Sequence, residues 1–378
     1  MMTSLSDRSN YKTLNDYTYL NQASLGLVPE TAVGAMHCFL DNVARHGNAL
    51  MSDQEELDFL EPIRSKGAKL LNASPDNICI SSSASEILSQ VPLIFQFPKK
   101  NKVVLVSTDF PSLTRHWLAL KKMNNNFITK FVDDTSSSNL TESLINEIDS
   151  QTAMICVSYV QFSTGTKVDI KRLRQATNEA GALLVLDITQ AAGAIPIDII
   201  NIKPDMVVSS GYKWLGGHGG IALGYFSDTL LESQPRATGW MSTQNPFETR
   251  AMELDFPKNA RKYTQSTMSY LTVKGLELSV GELIELNPSR IEKHSLSLSS
   301  YLLKTIKGTK WNAFREIDSP ERSPNILSLF NQKIDSKKLS HELKEKNIVC
   351  SLRNGRLRVS IAHYNSQEDI DVLLAVLL

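Results

Sequence analysis

Six short apolar runs in the middle of the chain constrain its fold more than any other feature of the sequence. They are continuous and rich in Val, Ile and Leu, as strands buried on both faces of a parallel sheet are. The runs occupy residues 77–81, 102–107, 154–159, 182–187, 206–209 and 221–225. Helical patterns separate several of them, at residues 86–95, 113–123, 141–148 and 170–180. This βαβ series predicts an α/β fold with a large, mainly parallel-sheet domain over residues 45–255.

The pattern changes after residue 255. Two long helical stretches, a strand, a helix, two strands and a last helix follow at residues 270–286, 289–306, 325–330, 336–346, 348–351, 357–361 and 367–377. We therefore predict a smaller C-terminal α/β domain with its own sheet over residues 256–378. Residues 1–44 form an N-terminal segment that can pack on either domain.

The composition excludes several classes of protein. Because 40 basic side chains balance 40 acidic ones, electrostatic support for binding nucleic acid or an anionic membrane is absent. A membrane span needs about 20 apolar residues, and the best candidate run covers only residues 91–97. The polar N-terminus lacks the apolar core of a secretory signal.

The four cysteines bear on compartment and on metal binding. Cys38, Cys79, Cys156 and Cys350 are scattered and form no CxxC pair. This spacing argues against a zinc site and against a disulfide framework. We expect a cytoplasmic protein without a bound metal and without a nucleic-acid or membrane partner.

Lys213 lies in the most informative segment, SGYKWLGGHGG at residues 210–220, where a buried strand leads into a glycine-rich turn. A desolvated lysine has a lowered pKa and can form a Schiff base. The alternative is an exposed lysine in a turn. The glycines also suggest dinucleotide binding, but no GxGxxG opens a helix and no GxxxxGK[ST] loop is present, so a dehydrogenase is not expected.

Asp187 ends the run ALLVLD, 26 residues before Lys213. Ligands of open α/β sheets bind outside the carboxyl ends of the strands, where a carboxylate and a lysine can meet. Pyridoxal phosphate needs both groups, a lysine for its aldehyde and an acid for its pyridine nitrogen. Gln190 is a candidate partner for the cofactor's phenolic oxygen. The alternatives are a helix N-cap at Asp187 and an ordinary polar loop residue at Gln190.

Two more segments follow predicted strands. In SSSASE, residues 81–86, small residues such as Ala84 and Ser85 precede a helix, and a helix N-terminus favours a phosphate. Ser210 and Tyr212 would add donors from the lysine loop. In DFPS, residues 109–112, Phe110 can stack on a planar ring. The alternatives are a serine N-cap and a phenylalanine in the core.

Arg358 alternates with apolar residues in GRLRVS, residues 355–360, a short strand of the second predicted domain. The forked guanidinium of an arginine is suited to bind a substrate carboxylate through two hydrogen bonds. The alternative is a basic edge strand with no ligand.

Taken in order, these segments resemble the class V aminotransferase family, fold-type I pyridoxal phosphate enzymes that include cysteine desulfurases, kynureninase and isopenicillin N epimerase. The similarity covers almost the whole chain. The segments that carry it are YLNQASLGLVP (19–29), SASE (83–86), DFPSLTRHW (109–117), the kynureninase-like VQFSTGTKVDI (160–170), DITQ (187–190), SGYKWLGGHGG (210–220) and GRLRVSIAHYNSQEDID (355–371).

The resemblance implies a role for each candidate. Lys213 and Asp187 would be catalytic, and Arg358 would bind the substrate carboxylate. The cofactor would be held by Ala84, Ser85, Phe110, Asp187, Gln190, Ser210, Tyr212 and Lys213. The family also implies a homodimer with active sites at the interface. Ser266 and Thr267 resemble the Gly-Thr that reaches the partner subunit's phosphate, although the glycine is missing here.

Departures from the family narrow the activity. Cysteine desulfurases carry a nucleophilic Cys on a loop of the C-terminal half, but DSPERSPN at residues 318–325 has none, and Cys350 is typical of a core residue. Desulfurase activity is therefore not expected. Kynureninase is nearest by local motif, yet Leu113 replaces an Asp of kynureninases, and Trp240 stands alone where they have Gly-Trp-Trp.

We therefore expect a pyridoxal phosphate-dependent aminotransferase or lyase that acts on a small-molecule amino acid. The identified residues leave transamination, loss of a β-substituent and racemisation open. An amino-acid epimerase or racemase of the same family is one alternative. A non-catalytic relative that keeps the fold is another.

Overall fold

The computed structural model describes residues 2–49, 51–94, 100–333 and 335–378. The strands in this part of the chain are β1 (Thr18–Tyr19), β2 (Ile78–Ser81), β3 (Lys102–Val106), β4 (Ile128–Val132), β5 (Thr152–Ser158), β6 (Leu183–Asp187), β7 (Met206–Ser210), β8 (Ala222–Phe226), β9 (Asn312–Ala313), β10 (Ile326–Phe330), β11 (Ile348–Val349), β12 (Ser351–Arg353) and β13 (Arg356–Ser360).

The α-helices are α1 (Glu30–His46), α2 (Asp53–Asp58), α3 (Glu61–Leu71), α4 (Ala84–Ile94), α5 (Pro111–Met123), α6 (Leu140–Ile145), α7 (Ile170–Ala180), α8 (Ile199–Ile202), α9 (Asp228–Leu231), α10 (Tyr270–Leu286), α11 (Pro288–Ile306), α12 (Ser336–Glu345) and α13 (Gln367–Leu377). Short 3-10 helices cover Arg8–Asn10, Lys12–Asn15, Pro75–Asn77, Trp240–Ser242, Pro246–Glu248 and Ala260–Tyr263.

The large sheet in the described residues has seven strands in the order β2-β8-β7-β6-β5-β3-β4. The neighbours from β7 through β6, β5 and β3 to β4 pair in parallel, whereas β8 is antiparallel to both β7 and β2. The continuous apolar runs form this sheet because its central strands are buried on both faces. The predicted α/β fold with a mainly parallel sheet is confirmed.

Strand β4 is the element of the large sheet that the sequence did not predict. It lies at the edge of the sheet, and exposed or half-exposed residues make up its first four positions. The prediction relied on continuous apolar runs, which are the pattern of central strands, so this edge strand gave no signal. The predicted helix at residues 86–95 corresponds to α4, and its last residue, Phe95, lies outside the described residues together with part of the run 91–97.

A second sheet in the described residues has the order β12-β13-β10-β9 and is antiparallel. Leu327 and Val359 from this sheet pack with Ile370 and Leu373 of α13 in a core of their own. The division of the chain at residue 255 stays a prediction. Helix α10 follows that division, but it packs into the core beneath the large sheet, so we propose to group it with the large domain.

The N-terminal segment contacts both sheets. Thr18 and Tyr19 pair with Ile348 and Val349 near the small sheet, and Gln22 reaches the loop that carries Lys213. This segment therefore joins the two halves of the molecule at the edge where the candidate site lies. In the described part of the chain, no helix is both long enough and apolar enough to span a membrane.

Candidate functional site

A cavity of about 150 Å³ opens at the carboxyl ends of three neighbouring parallel strands. Ser158, Asp187 and Ser210 are the last residues of β5, β6 and β7, and all three line it. The lining residues are Ser83, Ala84, Ser85, Phe110, Ser112, Ser158, Phe162, Asp187, Thr189, Gln190, Ser210, Tyr212 and Lys213. The eight residues that the sequence predicts to hold a cofactor are thus brought together.

Lys213 is buried, with 7% of its surface exposed, so the alternative of an exposed lysine in a turn is wrong. Burial lowers the pKa of its amine to about 8, although the charge of Asp187 opposes this shift and those of Arg358 and Arg353 add to it. Its Nζ lies 5.0 Å from the centre of the Phe110 ring. Near neutral pH, a larger share of this amine is therefore unprotonated than of an ordinary lysine.

The loop around Lys213 is fixed by the N-terminal segment. The amide of Gln22 donates to the Lys213 carbonyl oxygen at 3.0 Å, and the Gly26 N–H donates to the Tyr212 carbonyl at 2.9 Å. A Cβ on Gly26 would lie 1.9 Å from the Lys213 carbonyl oxygen, so only glycine fits. Sequence analysis missed Gln22 and Gly26 as site residues, although both lie in the segment 19–29 that carries part of the family resemblance.

Asp187 is buried beside Lys213. Its Oδ1 accepts a hydrogen bond from the Thr189 N–H at 2.8 Å, and Thr189 Oγ1 accepts one from the Ser210 N–H at 3.0 Å. Burial raises the pKa of this carboxyl group, while the bonds from Thr189 and the charge of Lys213 lower it. No α-helix begins at Asp187, because the next one starts at Ile199, so the alternative of a helix N-cap is wrong.

A second buried carboxylate, Asp109, lies behind the cavity, and sequence analysis missed it. It accepts hydrogen bonds from the Ser158 N–H at 2.9 Å, the Ser158 hydroxyl at 2.5 Å, the Gln161 amide at 3.1 Å and the Phe110 N–H at 2.8 Å. Burial raises its pKa to about 6, against the effect of the bonds from Ser158 and Gln161, and the charge of Asp187 adds to the rise. Its position after β3 was the signal available in the sequence.

The turn before α4 suits an anion. Helix α4 begins at Ala84, and the Ser83 hydroxyl accepts a bond from the Glu86 N–H at 3.1 Å. The hydroxyls of Ser85 and Ser112 are 2.7 Å apart. Across the cavity, Ser210 Oγ is buried and has no hydrogen-bond partner among the described residues. Because a buried hydroxyl without a partner is unfavourable, Ser210 indicates that a polar ligand group belongs here, and a phosphate fits.

Phe110 and Gln190 frame the space between these groups. Phe110 is 37% exposed and packs edge-on against Phe162, with ring centres 5.4 Å apart, so it is not a core residue. The Gln190 amide donates to the Ala23 carbonyl at 3.1 Å and accepts from the Trp214 ring nitrogen at 2.7 Å. One N–H of the amide nitrogen remains for a ligand. Gln190 can therefore donate the predicted bond to a phenolic oxygen while it keeps its bonds to Ala23 and Trp214.

Arg358 lies behind Phe162, next to the thirteen lining residues rather than among them. It is 2% exposed, and its two terminal nitrogens donate to the Phe162 carbonyl at 2.7 Å and to the Ser24 hydroxyl. Its Nε is buried without a partner among the described residues. Strand β13 lies between β10 and β12, so the alternative of a basic edge strand is wrong.

Ser266 and Thr267 are exposed and do not line the cavity. Their predicted contact with a partner subunit's phosphate therefore stays a prediction. Among the residues that the structure describes, no cluster of His, Cys, Asp and Glu is suited to hold a metal ion.

Comparisons with known proteins find similarity along almost the whole chain. The model of the family "Aminotransferase class-V" matches residues 18–373. The chain is similar to the uncharacterized aminotransferase YcbU of Bacillus subtilis, with 24% identity over 96% of this chain and 94% of the relative. It is 26% identical to kynureninase of Yarrowia lipolytica, over 98% and 96% of the two chains. A mutant of C-DES with glycine covalently linked to its pyridoxal phosphate cofactor has a TM-score of 0.88 at 17% identity, and the alignment covers 98% of both chains.

Proposed function

Because the chain belongs to the class V aminotransferase family of pyridoxal phosphate enzymes, we propose that it acts on the α-amino group of an amino acid through Lys213. The proposed reaction is transamination or cleavage of a bond at the β-carbon, as in kynureninase. The observation that carries this proposal is the buried Lys213 beside the buried Asp187 in one cavity at the carboxyl ends of the parallel strands.

The residues around the cavity fit the family's cofactor. Bound pyridoxal phosphate supplies an aldehyde that takes up an amine and a ring that accepts electrons from the substrate's α-carbon. In our proposal Asp187 would keep a proton on the ring nitrogen and Phe110 would cover one face of the ring. The turn at Ala84 and Ser85 would hold the phosphate, together with Ser210 and Tyr212 on the other side of the cavity.

Lys213 has two tasks in this proposal. It would anchor the cofactor through its amine, and its freed amine would move a proton at the substrate's α-carbon. A general base works best when its pKa lies near the operating pH, and the pKa of about 8 meets that condition. Gln22 and Gly26 hold the backbone of the loop and so limit where the amine can move.

Arg358 orients the substrate in this proposal. Its buried guanidinium binds the α-carboxylate, which directs the α-amino group toward Lys213. A buried cation is costly without an anion beside it, and its neutral partners Phe162 and Ser24 leave that charge for a ligand.

A protein thiol as nucleophile is not part of the proposal. The segment 318–325 contains no cysteine, and burial raises the pKa of the Cys350 thiol to about 12. A thiol with such a pKa is a poor nucleophile near neutral pH because almost none of it is thiolate.

Borohydride reduction tests the anchoring residue. Protein purified with pyridoxal phosphate should be yellow, and reduction should fix one cofactor to the peptide that contains Lys213. Lys262 is an internal control, because it is also buried but donates to the Leu231 carbonyl away from the cavity. A colourless protein, or label on the Lys262 peptide at the same level, would refute the proposal. Screening the yellow protein against amino acids for keto acid, pyruvate, alanine, ammonia or inverted substrate separates the possible reactions.

We also propose a cytoplasmic homodimer as the working form, as the family resemblance implies. Trp240, Met252 and Leu254 support a covered surface, since they are 42%, 99% and 56% exposed in the single chain. Sedimentation equilibrium should give twice the mass of the chain. A fully active monomer would contradict this part of the proposal.

A further inference from the structure

Two arginines approach the cavity from the small sheet, and they share one hydroxyl group. Arg358 on β13 donates to Ser24 Oγ, and Arg353 on β12 lies 3.5 Å from the same oxygen through its Nη2. Two guanidinium groups thus meet at one neutral acceptor. Both charges lower the pKa of the Lys213 amine, and Arg358 donates to the carbonyl of Phe162, a residue that lines the cavity.

No carboxylate among the described residues neutralises this pair. In the described part of the chain neither arginine forms an ion pair. Apart from Ser24, Arg358 donates to the Phe162 carbonyl and Arg353 donates to the Leu352 carbonyl, and both acceptors are neutral. By contrast Arg315, also buried, lies against the carboxylates of Asp134 and Glu321. Two like charges held close together repel, and water cannot fully screen the buried one, Arg358, so an anionic ligand would stabilise the pair.

We infer that the substrate is an amino acid whose side chain carries a second anionic group, such as a carboxylate, with Arg358 binding the α-carboxylate and Arg353 binding the side-chain anion. This inference rests on the proposed function. Arg358 is buried and contacts Phe162, which lines the cavity, whereas Arg353 is exposed. Arg358 would therefore bind nearer the reacting carbon, and Arg353 would bind the end of the substrate's side chain.

The charge of the cofactor does not account for the second arginine. The phosphate turn belongs to the large sheet, where Ser85, Ser112 and Ser210 offer neutral donors. Arg353 and Arg358 belong to the small sheet, and they form polar contacts with Ser24, Phe162 and Leu352 rather than with that turn.

Binding to the loaded enzyme tests the inference. Succinate and butyrate have the same chain length but differ by one carboxylate, and neither carries an amine that can react. Succinate should bind about tenfold to a hundredfold more tightly, since a hydrogen bond to a charged group is worth about 1.5–3 kcal/mol. Calorimetry gives both dissociation constants. The comparison can be extended to two pairs of amino acids, L-aspartate with L-asparagine and L-glutamate with L-glutamine. For these amino acids, the change in the cofactor's absorption spectrum measures binding.

Three variants test whether Arg353 causes the preference for succinate over butyrate. Arg353→Gln should bring the two dissociation constants together, whereas Arg353→Lys should keep part of the difference because the charge remains. Arg356→Gln is the matched control: it removes a guanidinium from the same hairpin, but one that packs on Phe314 and donates to Ser328. It should leave the preference for succinate unchanged.

The results separate the inference from the proposed function. Equal binding of succinate and butyrate by a yellow enzyme overturns the dianionic substrate and leaves the proposed function standing. If Arg353→Gln still binds succinate more tightly than butyrate, Arg353 is not the residue that binds the side-chain anion. A protein that binds no pyridoxal phosphate overturns both.

Discussion

The two sides of the cavity are built differently. On the large-sheet side, Asp187 and Asp109 are held by hydrogen bonds from neighbours in the same sheet or its loops. On the small-sheet side, Arg358 is held by a serine 334 residues away in the chain and by a backbone carbonyl. On the first side the buried carboxylates receive hydrogen bonds from the protein itself, whereas on the second the buried charge of Arg358 has no carboxylate partner among the described residues. Changes on the first side should therefore act on cofactor chemistry, and changes on the second on substrate affinity.

The substitution Asp187→Asn should have the largest effect, because it removes the charge proposed to hold a proton on the ring nitrogen. We expect kcat to fall about 100-fold or more, the scale of losing one electrostatic group from an active site. Steady-state kinetics and the cofactor's absorption spectrum measure the change. Asp205→Asn is the control: this carboxylate, paired with Arg174, precedes β7 at the opposite edge of the same sheet. A wild-type kcat in Asp187→Asn would contradict the assignment of cofactor chemistry to the large-sheet side.

Arg358→Gln tests the other side. The expected result is a KM about tenfold to a hundredfold higher, with a smaller change in kcat and an unchanged cofactor spectrum, since the lost bonds are charge-assisted bonds to the substrate. Arg356→Gln should behave as wild type. If the spectrum changes as much as in Asp187→Asn, the two sides are not separate in function.

The large-sheet side was easier to predict from the sequence than the small-sheet side, because the first depends on one sheet and the second on the packing of distant segments. Asp187, Ser210 and Lys213 follow apolar runs, and the carboxyl ends of parallel strands must meet at one edge. Ser24 and Phe162 left no such signal, because their positions beside Arg358 depend on how three remote segments pack. Asp109 carries the same kind of signal, since it follows β3, but the prediction for that segment rests on the aromatic ring of Phe110 alone.

The pH dependence of stability sharpens the description of the large-sheet side. The folded pKa of Asp109, about 6, lies above its ordinary value of 3.8. Its contribution to stability is therefore fully present below about pH 4 and is lost as the pH rises through about 6. In Asp109→Asn, stability should fall less steeply with pH across this window, by up to about 1.4 kcal/mol per pH unit. Urea unfolding of the cofactor-free protein at several pH values measures the slope, and an unaltered slope would contradict the assignment.

A further prediction concerns the N-terminal segment, which contacts both sides. Gly26→Ala places a Cβ 1.9 Å from the Lys213 carbonyl oxygen, a backbone atom that cannot move aside alone. We expect a loss of about 1–3 kcal/mol in stability and weaker cofactor binding, because overpacking shifts the loop. Gly34→Ala is the matched control: there is open space around Gly34 in α1, and alanine is more stable than glycine in a helix by about 0.5–1 kcal/mol. Urea unfolding measures the stability of both variants, and titration with pyridoxal phosphate measures their cofactor affinity. Equal cofactor affinity in the two variants would mean that the N-terminal segment stabilises the fold without positioning Lys213.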